Sequence, residues 1–251
     1  MSVVAIIPAR YASTRFPGKP LARATGKTLI QHVYERVRQA RLLDGVVVAT
    51  DDERIAAAVR EFGGEAVMTR PDHASGTDRI AEVAATLSAE LVLNVQGDEP
   101  EIEPAYLDQL VELMRLRPDA SMATLACPFP ADADPTEPSA VKLVIDRHGY
   151  ALYFSRSLIP YLRDPGKTGE PAGGWLLHLG VYAYRRGFLL SYADLAPSRL
   201  EQAEKLEQLR ALENGHRIVV GLVEHASLGI DTPEEYEAFV RRVTKGCCTS
   251  G

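Results

Sequence analysis

The sequence contains few cysteines, and their arrangement argues against two kinds of site. Three cysteines occur among 251 residues, at positions 127, 247 and 248. They form no disulfide framework, and their spacing matches no Cys-x-x-Cys metal site. We therefore expect a protein of a reducing compartment and predict a cytoplasmic location.

Long apolar runs and an excess of basic residues are also missing. No apolar stretch approaches the roughly 18 residues of a membrane-spanning helix, and no charged region precedes an apolar one at the N-terminus. The net charge of -6 at pH 7 argues against a general nucleic-acid surface, because such surfaces are basic. We predict neither membrane insertion nor nucleic-acid binding, so anionic ligands must bind at local clusters of cations.

The remaining composition is that of an ordinary folded protein. With 46% hydrophobic and 25% charged residues, the chain can bury a substantial core without forming two independent domains. In the first half, apolar strands alternate with amphipathic helices, as in a parallel sheet with helical crossovers. The second half mixes strands with a predicted helix over residues 201–214 and a glycine- and proline-rich loop over residues 163–174. We predict an α/β fold with a mainly parallel central sheet flanked by helices and a smaller α+β lobe.

The most informative segment runs from Val3 to Lys19, where an apolar strand leads into a basic loop. Residues 3–7 are apolar and β-prone, which is typical of a strand covered on both faces. Because open α/β sheets bind ligands at the carboxyl ends of their strands, the loop predicts a site for a phosphate-bearing anion. The alternative is a solvated surface loop, and the spacing is not that of a Walker A motif. The loop's cations, hydroxyls and glycine are Arg10, Ser13, Thr14, Arg15, Gly18 and Lys19.

Two aspartates follow apolar strands in matching contexts. Asp98 lies in Gln-Gly-Asp-Glu-Pro, and Asp231 lies in Gly-Ile-Asp-Thr-Pro. Two carboxylates at one sheet edge can hold Mg²⁺, which prefers one or two protein carboxylates together with phosphate and water. Either aspartate alone is more typical of a turn or, for Asp231, of a helix N-cap. The pair therefore indicates a magnesium site, with the structural roles as the alternative.

Other polar residues are ambiguous when the sequence is considered alone. Residues 75–79, Ser-Gly-Thr-Asp-Arg, begin a predicted helix and suit either an anion or an ordinary hydroxyl N-cap. His178 and Tyr182 alternate with apolar neighbours as core residues do, and the charged residues of 201–208 have the periodicity of a solvated helix face. At this level the chain is predicted to be an α/β protein that handles a nucleotide with Mg²⁺.

A set of ordered motifs between Val3 and Arg241 adds a family resemblance. The segments are IIPARYASTRFPGKPL, VVVATDDERI, SGTDRIAEV, NVQGDEP, AVKLV, GYALYFSR, HLGVYAYR, LEQLR and GIDTPEEYE. Together they resemble the bacterial 3-deoxy-manno-octulosonate (Kdo) cytidylyltransferases, the CMP-Kdo synthetases. The resemblance implies a nucleotide-diphospho-sugar transferase type of fold, usually in a homodimer. It also implies transfer of CMP from CTP to Kdo, with release of pyrophosphate, for lipopolysaccharide biosynthesis.

The resemblance also implies roles for individual residues, matched motif by motif. Those expected to bind the CTP phosphates are Arg10, Ser13, Arg15 and Lys19. Those expected to frame the nucleoside are Ser75, Arg79 and Gln96. Those expected in the Kdo pocket are Arg156, His178, Tyr182, Glu207 and Gln208. Of these, the arginine and the histidine are expected to face the carboxylate of the sugar. Those expected to hold Mg²⁺ are Asp98 and Asp231, which join Arg10 and Lys19 as the expected catalytic residues.

We expect one cytidylyltransferase domain over residues 1–244, and the terminal Gly-Cys-Cys-Thr-Ser-Gly sequence predicts a flexible tail over residues 245–251. Residues 1–127 are expected mainly to bind the nucleotide, and residues 128–220 mainly to bind the sugar and form the dimer surface.

Three alternatives stay open at this point. A cytidylyltransferase for 8-amino-Kdo or sialic acid would carry similar motifs. A non-catalytic regulator would bind CTP without releasing pyrophosphate, and a glycosyltransferase that consumes a CMP-sugar would release CMP instead. The intact set of Arg10, Lys19, Asp98 and Asp231 favours catalysis over regulation.

Overall fold

The computed structural model describes residues 1–12, 15–73, 75–131, 133–163, 174–192 and 194–247. Two predicted features lie outside these residues, namely Ser13 of the phosphate loop and nearly all of the loop over residues 163–174. The chain divides into two compact units. The first ends at Asp108 and resumes at Ser227, and the second is Gln109–Ala226.

The described residues contain nine strands, eight α-helices and one short 3-10 helix. The strands are β1 (Val3–Ala9), β2 (Gly45–Thr50), β3 (Glu65–Met68), β4 (Leu91–Asn94), β5 (Met122–Pro128), β6 (Lys142–Ile145), β7 (Ala151–Ser155), β8 (Leu176–Arg185) and β9 (Ile218–Leu222). The α-helices are α1 (Leu29–Val37), α2 (Glu53–Glu61), α3 (Gly76–Thr86), α4 (Pro104–Leu116), α5 (Arg186–Tyr192), α6 (Arg199–Glu204), α7 (Gln208–Glu213) and α8 (Pro233–Cys247). The 3-10 helix is Lys19–Leu21.

The first unit is built on parallel strands in the order β3-β2-β1-β4. Strand β1 pairs in parallel with β2 on one side and with β4 on the other. Ile6 of β1 lies opposite Asn94, the last residue of β4, so both strands end at one edge of the sheet. The phosphate loop and the Asp98 turn therefore begin side by side, as expected for the carboxyl ends of parallel strands.

Apolar residues at helical spacing fix the helices of the first unit on its sheet. In α1, the apolar stripe of Leu29, Ile30, Val33 and Val37 is fully buried. The helix begins at Thr28, whose hydroxyl accepts a hydrogen bond from the amide of Gln31 at 3.3 Å. Such caps satisfy amides that the first turn leaves without intrahelical partners.

The second unit is mixed, as the irregular sequence pattern predicts. Strand β5 pairs antiparallel with β8 and parallel with β9. Strand β6 pairs antiparallel with both β7 and β8. The predicted α/β class with a mixed second lobe is confirmed.

One predicted helix needs correction, and two helices were not predicted. The helix predicted over residues 201–214 is two helices, α6 and α7, because Lys205 between them has a left-handed backbone with φ of 54°. Helices α4 and α5 were not predicted, although Leu107, Leu110, Val111 and Met114 form a buried stripe of helical period in α4. The last helix continues to Cys247, past residue 245, where the tail was expected to begin.

Candidate active site

A cavity of about 240 Å³ lies in the first unit, at the carboxyl ends of β1 and β4. It is lined by Pro8, Ala9, Arg10, Ala12, Lys19, Pro20, Gly76, Gln96, Gly97 and Asp98. Four residues predicted to bind the nucleotide or the metal are therefore brought to one place, namely Arg10, Lys19, Gln96 and Asp98. The guanidinium of Arg10 also donates to the carbonyl of His73 at 2.9 Å, which ties the loop to the start of α3.

Lys19 is the centre of the charged groups at this cavity. Its ammonium donates to Asp98 Oδ2 at 2.7 Å and to the carbonyl of Ile230 at 2.7 Å, and it lies 3.4 Å from Asp231 Oδ1. Only 11% of the side chain is exposed. Gly18, with φ of 72°, turns the chain so that Lys19 begins the 3-10 helix and points inward. Lys19 therefore joins the two aspartates that the sequence analysis paired.

Asp231 is not the N-cap of the last helix, which was the alternative considered for it. Thr232 occupies that position, since its hydroxyl accepts from the amide of Glu235 at 3.3 Å. The Glu235 carboxylate in turn accepts from the amides of Asp231 and Thr232, at 2.6 and 2.9 Å. The Asp231 carboxylate instead contacts two cations. Arg15 Nη2 lies 3.0 Å from its Oδ2, and Lys19 lies near its Oδ1.

The Asp98 and Asp231 carboxylates suit Mg²⁺ on the chemistry of their donors. Both are hard oxygen ligands, and both reach the same ammonium group. In the part of the chain that the structure describes, no group of three or more His, Cys, Asp or Glu side chains is arranged to hold a metal. Mg²⁺ commonly binds through one or two carboxylates with phosphate and water completing its shell. The two aspartates therefore fit this metal in the company of a phosphate-bearing ligand.

Arg79 is placed differently from the expectation that it frames a nucleoside, and Ser75 has the N-cap role that was considered as its alternative. The Ser75 hydroxyl accepts from the amide of Asp78 at 3.1 Å and forms a capping box with it, which is the ordinary N-cap role. Arg79 is fully buried, pairs with Asp51 at 3.2 Å and hydrogen-bonds the hydroxyl of Thr69. Arg79 thus lies within the first unit and does not line the cavity.

Glu99 belongs to the same turn and was not predicted as part of the site. Its carboxylate accepts a hydrogen bond from Ser227 Oγ at 2.9 Å. Burial raises the pKa of Glu99 to about 7, and the neighbouring Asp98 charge acts in the same direction. The only signal in the sequence was the position of Glu99 next to Asp98.

In the second unit, His178 is held in a neutral form. Burial lowers its pKa to about 3. Its Nε2 lies 3.0 Å from Thr124 Oγ1, which is also 3.1 and 2.9 Å from the carbonyl oxygens of Leu179 and Val181. Since only the hydroxyl proton can serve those carbonyls, Nε2 carries the ring proton and donates to Thr124. His178 therefore does not offer the positive charge that a Kdo carboxylate was expected to meet.

The neutral state of His178 predicts a loss of stability in acid. The unfolded chain, with a histidine pKa near 6.5, takes up a proton first as the pH falls, so protonation favours unfolding between pH 6.5 and 3. Because of His178, the free energy of unfolding of the wild type should fall by about 1 kcal/mol between pH 7 and pH 5.5. His178→Gln should not show this part of the fall. Urea unfolding at both pH values measures this. His148→Gln, at an exposed histidine, should unfold like the wild type, and equal pH dependence in all three proteins would refute the assignment.

The other predicted sugar residues of the second unit show one unusual feature. Gln208 is 5% exposed, and within the described residues its buried Nε2 has no hydrogen-bond partner. Buried amide donors nearly always have a partner, so this one points to a ligand or to water. The ring of Tyr182 lies 5.5 Å from that of His178, and the backbone carbonyl of Glu207 accepts from the hydroxyl of Tyr192 at 2.6 Å.

Arg156 is turned toward the backbone. Its guanidinium donates to the carbonyl oxygens of Glu204, Pro138 and Lys205, at 2.7, 2.7 and 3.2 Å. Arg156 was expected to face a sugar carboxylate, but its guanidinium faces these backbone carbonyls instead.

Comparison with known proteins gives one consistent answer. A cytidylyltransferase family model matches residues 4–218. A 3-deoxy-manno-octulosonate cytidylyltransferase of Geobacter sulfurreducens is 53% identical over 249 residues, which cover 97% of this chain and 100% of that protein. The enzyme of the same name from Syntrophotalea carbinolica is 54% identical over 239 residues, covering 94% and 96%. A solved CMP:2-keto-3-deoxy-manno-octonic acid synthetase in complex with CTP has a TM-score of 0.92 at 46% identity, covering 98% of this chain and 100% of that one.

The fold alone is also shared with solved structures of much lower sequence identity. A 4-diphosphocytidyl-2C-methyl-D-erythritol synthase from Anaerococcus prevotii has a TM-score of 0.61 at 14% identity, over 97% of this chain and 98% of that one. The sequence identities above 50% with the two named relatives identify one family among the cytidylyltransferases. This chain belongs to the 3-deoxy-manno-octulosonate cytidylyltransferase family, which confirms the resemblance that the motifs carried. No helix in the described part of the chain has the length and apolar character of a membrane span.

Proposed function

We propose that this protein transfers CMP from CTP to the anomeric hydroxyl of Kdo, giving CMP-Kdo and pyrophosphate for lipopolysaccharide synthesis. The observation that carries the proposal is the cluster of Lys19, Asp98 and Asp231 at the sheet edge. The cluster supports the proposal because it offers a cation and two carboxylates, groups that suit nucleotidyl transfer with Mg²⁺. Lys19 and Asp98 also line the cavity of about 240 Å³.

The proposed reaction is an in-line displacement at the α-phosphorus of CTP. The anomeric oxygen of Kdo forms the new bond, the bond to the bridging oxygen breaks, and pyrophosphate leaves while the hydroxyl proton passes to solvent. Asp98 and Asp231 would hold Mg²⁺, which offsets phosphate charge and favours an ionised hydroxyl nearby. The negative charge that builds on the leaving pyrophosphate is offset by Arg10, Arg15 and Lys19.

Three uncharged side chains and one carboxylate of the second unit are proposed to recognise the sugar. We assign His178, Tyr182 and Gln208 to hydrogen bonds with the sugar hydroxyls. The buried amide of Gln208 supports this role, because a hydroxyl oxygen would supply its missing acceptor. Glu207 joins them as a carboxylate that accepts from hydroxyls.

Pyrophosphate release tests the proposal. Purified protein is given CTP and Mg²⁺, with and without Kdo, and parallel reactions contain 8-amino-Kdo or sialic acid instead. We expect release that depends on Kdo. Release only with another acceptor would overturn the sugar assignment and leave the chemistry in place. CTP binding without release would indicate a regulator, and release of CMP from added CMP-Kdo would indicate a glycosyltransferase.

Gly97 lies so close to the backbone of β1 that a side chain at this position would not fit without a shift. A Cβ at this position would lie 2.9 Å from the carbonyl oxygen of Pro8, so any side chain must separate the Asp98 turn from β1. We expect Gly97→Ala to raise the KM for CTP or lower kcat, with a loss of about 100-fold in kcat/KM, the scale of an ångström-sized misplacement. Steady-state kinetics measure the loss. Gly187→Ala, where a Cβ meets nothing within 4 Å, should leave kcat/KM unchanged.

An effect below about threefold in folded Gly97→Ala protein would show that the turn adapts, contrary to this prediction. Near-native circular dichroism and thermal unfolding establish that the variant is folded.

We further propose a cytoplasmic homodimer. In the second unit, Tyr161, Leu152 and Leu222 are 87%, 61% and 52% exposed, and Leu222 also lines an apolar groove of about 470 Å³. Apolar surface of this kind supports a protein contact. Light scattering after gel filtration should give twice the 27.4 kDa chain mass.

A further inference from the structure

The break between α6 and α7 is held in an unfavourable backbone conformation. Lys205 is the only residue other than glycine with positive φ in the described chain, and its φ and ψ of 54° and 47° are those of a left-handed turn. A side chain disfavours this region, and such residues persist only where the surroundings fix them. The sequence gives no reason for a break, since residues 201–208 continue a helical pattern.

The guanidinium of Arg156 fixes the break. Its Nε donates to the carbonyl oxygen of Glu204 at 2.7 Å, and its Nη2 donates to that of Lys205 at 3.2 Å. These two carbonyls flank the left-handed residue. A third contact, from Nη1 to the carbonyl of Pro138 at 2.7 Å, also anchors the guanidinium.

Arg156 is itself held at its backbone. The Glu204 carboxylate accepts from the amide of Arg156 at 3.0 Å and from Ser155 Oγ at 2.7 Å. The carbonyl of Arg156 accepts from Lys142 Nζ at 2.6 Å, and the same ammonium donates to the carbonyl of Ala140 at 2.6 Å. Lys142 is fully buried, so the end of β7 is joined rigidly to the loop before β6.

The residues presented by this turn belong to the proposed sugar site. Glu207 and Gln208 lie two and three residues after Lys205, as the N-cap and first residue of α7, and Gln208 carries the buried amide without a hydrogen-bond partner in the described residues. Continuing α6 as one helix past residue 205 would rotate both side chains to other faces. Their placement therefore depends on the left-handed turn.

We propose that Arg156 is a positioning residue that clamps the left-handed turn at Lys205 and thereby places Glu207 and Gln208 for the sugar. This proposal rests on the proposed function and assigns Arg156 a different role from the carboxylate ligand expected from the family motif. The planar fork of a guanidinium reaches several carbonyls at once, which the single ammonium of lysine does not.

Kinetics of four variants test the clamp. We expect Arg156→Ala and Arg156→Lys alike to raise the KM for Kdo about tenfold, while kcat and the KM for CTP change less than about threefold. Lys205→Gly alone should behave like the wild type, because glycine adopts the left-handed region without strain. Arg147→Ala, at an exposed arginine in the turn between β6 and β7, is the matched control and should change none of these values.

The decisive comparison is Arg156→Ala in the Lys205→Gly background. If Arg156 acts by holding the strained turn, glycine makes the clamp partly dispensable, and the KM for Kdo should rise only about threefold. A direct carboxylate ligand predicts the full rise in both backgrounds and partial activity in Arg156→Lys. That pair of results would overturn the proposal.

Thermal unfolding separates this proposal from the proposed function. Arg156→Ala should lower Tm, and Lys205→Gly should recover part of that loss whether or not the protein turns over Kdo. Absence of Kdo-dependent turnover in the wild type with this recovery intact would refute only the proposed function. Equal Tm losses in both backgrounds would refute the clamp.

Discussion

Replacing Asp98 with asparagine should lower the rate of Kdo-dependent pyrophosphate release by at least about 100-fold, the size of losing one major electrostatic stabiliser. The change removes one of two carboxylates proposed to hold Mg²⁺ and one of the acceptors of the Lys19 ammonium. Asparagine keeps the shape of the side chain, so folding should change little. A coupled assay for pyrophosphate at saturating CTP and Kdo measures the effect.

Asp72→Asn is the matched control, since Asp72 carries an exposed carboxylate outside the cavity and should retain full activity. Titration with Mg²⁺ adds a second readout, because Asp98→Asn should need a higher Mg²⁺ concentration for half-maximal rate. Near-normal turnover in folded Asp98→Asn protein would refute the metal assignment.

Lys19→Met should produce a loss of similar size, at least about 100-fold in kcat, for a different physical reason. Lys19 is a nearly buried cation between two carboxylates, and methionine retains much of its length without the charge. The variant loses the charge that opposes the developing pyrophosphate and leaves Asp98 and Asp231 without their shared partner. The same pyrophosphate assay measures it.

Lys27→Met tests whether the effect is specific, because Lys27 pairs with Glu35 on the exposed surface and should be dispensable. Mg²⁺ should raise the Tm of Lys19→Met more than that of the wild type, since the metal then compensates carboxylates that have lost their ammonium. Wild-type kcat in Lys19→Met would show that Lys19 is only structural.

The site of the first unit was largely predictable from the sequence. Apolar strands followed by polar turns place Arg10, Lys19 and Asp98 at one edge, because parallel strands end together. The return of Asp231 to that edge was inferred only from its matching context, and the structure shows the contact through Lys19. What the sequence did not show was the pairing of Arg15 with Asp231.

The failures concern partners that are distant along the chain. Arg79 looked available at a helix start, yet Asp51 from the end of β2 pairs with it in the interior. Residues 201–214 have an uninterrupted helical pattern, and contacts from Arg156 accompany the break at Lys205. The alternation of His178 with apolar neighbours indicated a core position. It did not reveal that desolvation lowers the pKa of His178 and keeps the ring neutral.

The contact of Lys19 with Ile230 joins residues 211 positions apart in the chain. Along the chain, the second unit, Gln109–Ala226, separates the two segments that make up the first unit. A ribosome must therefore finish the second unit before the last acidic residue of the site is available. The nucleotide site is then among the last features to form during synthesis, and an interrupted chain would carry Asp98 and Lys19 without Asp231.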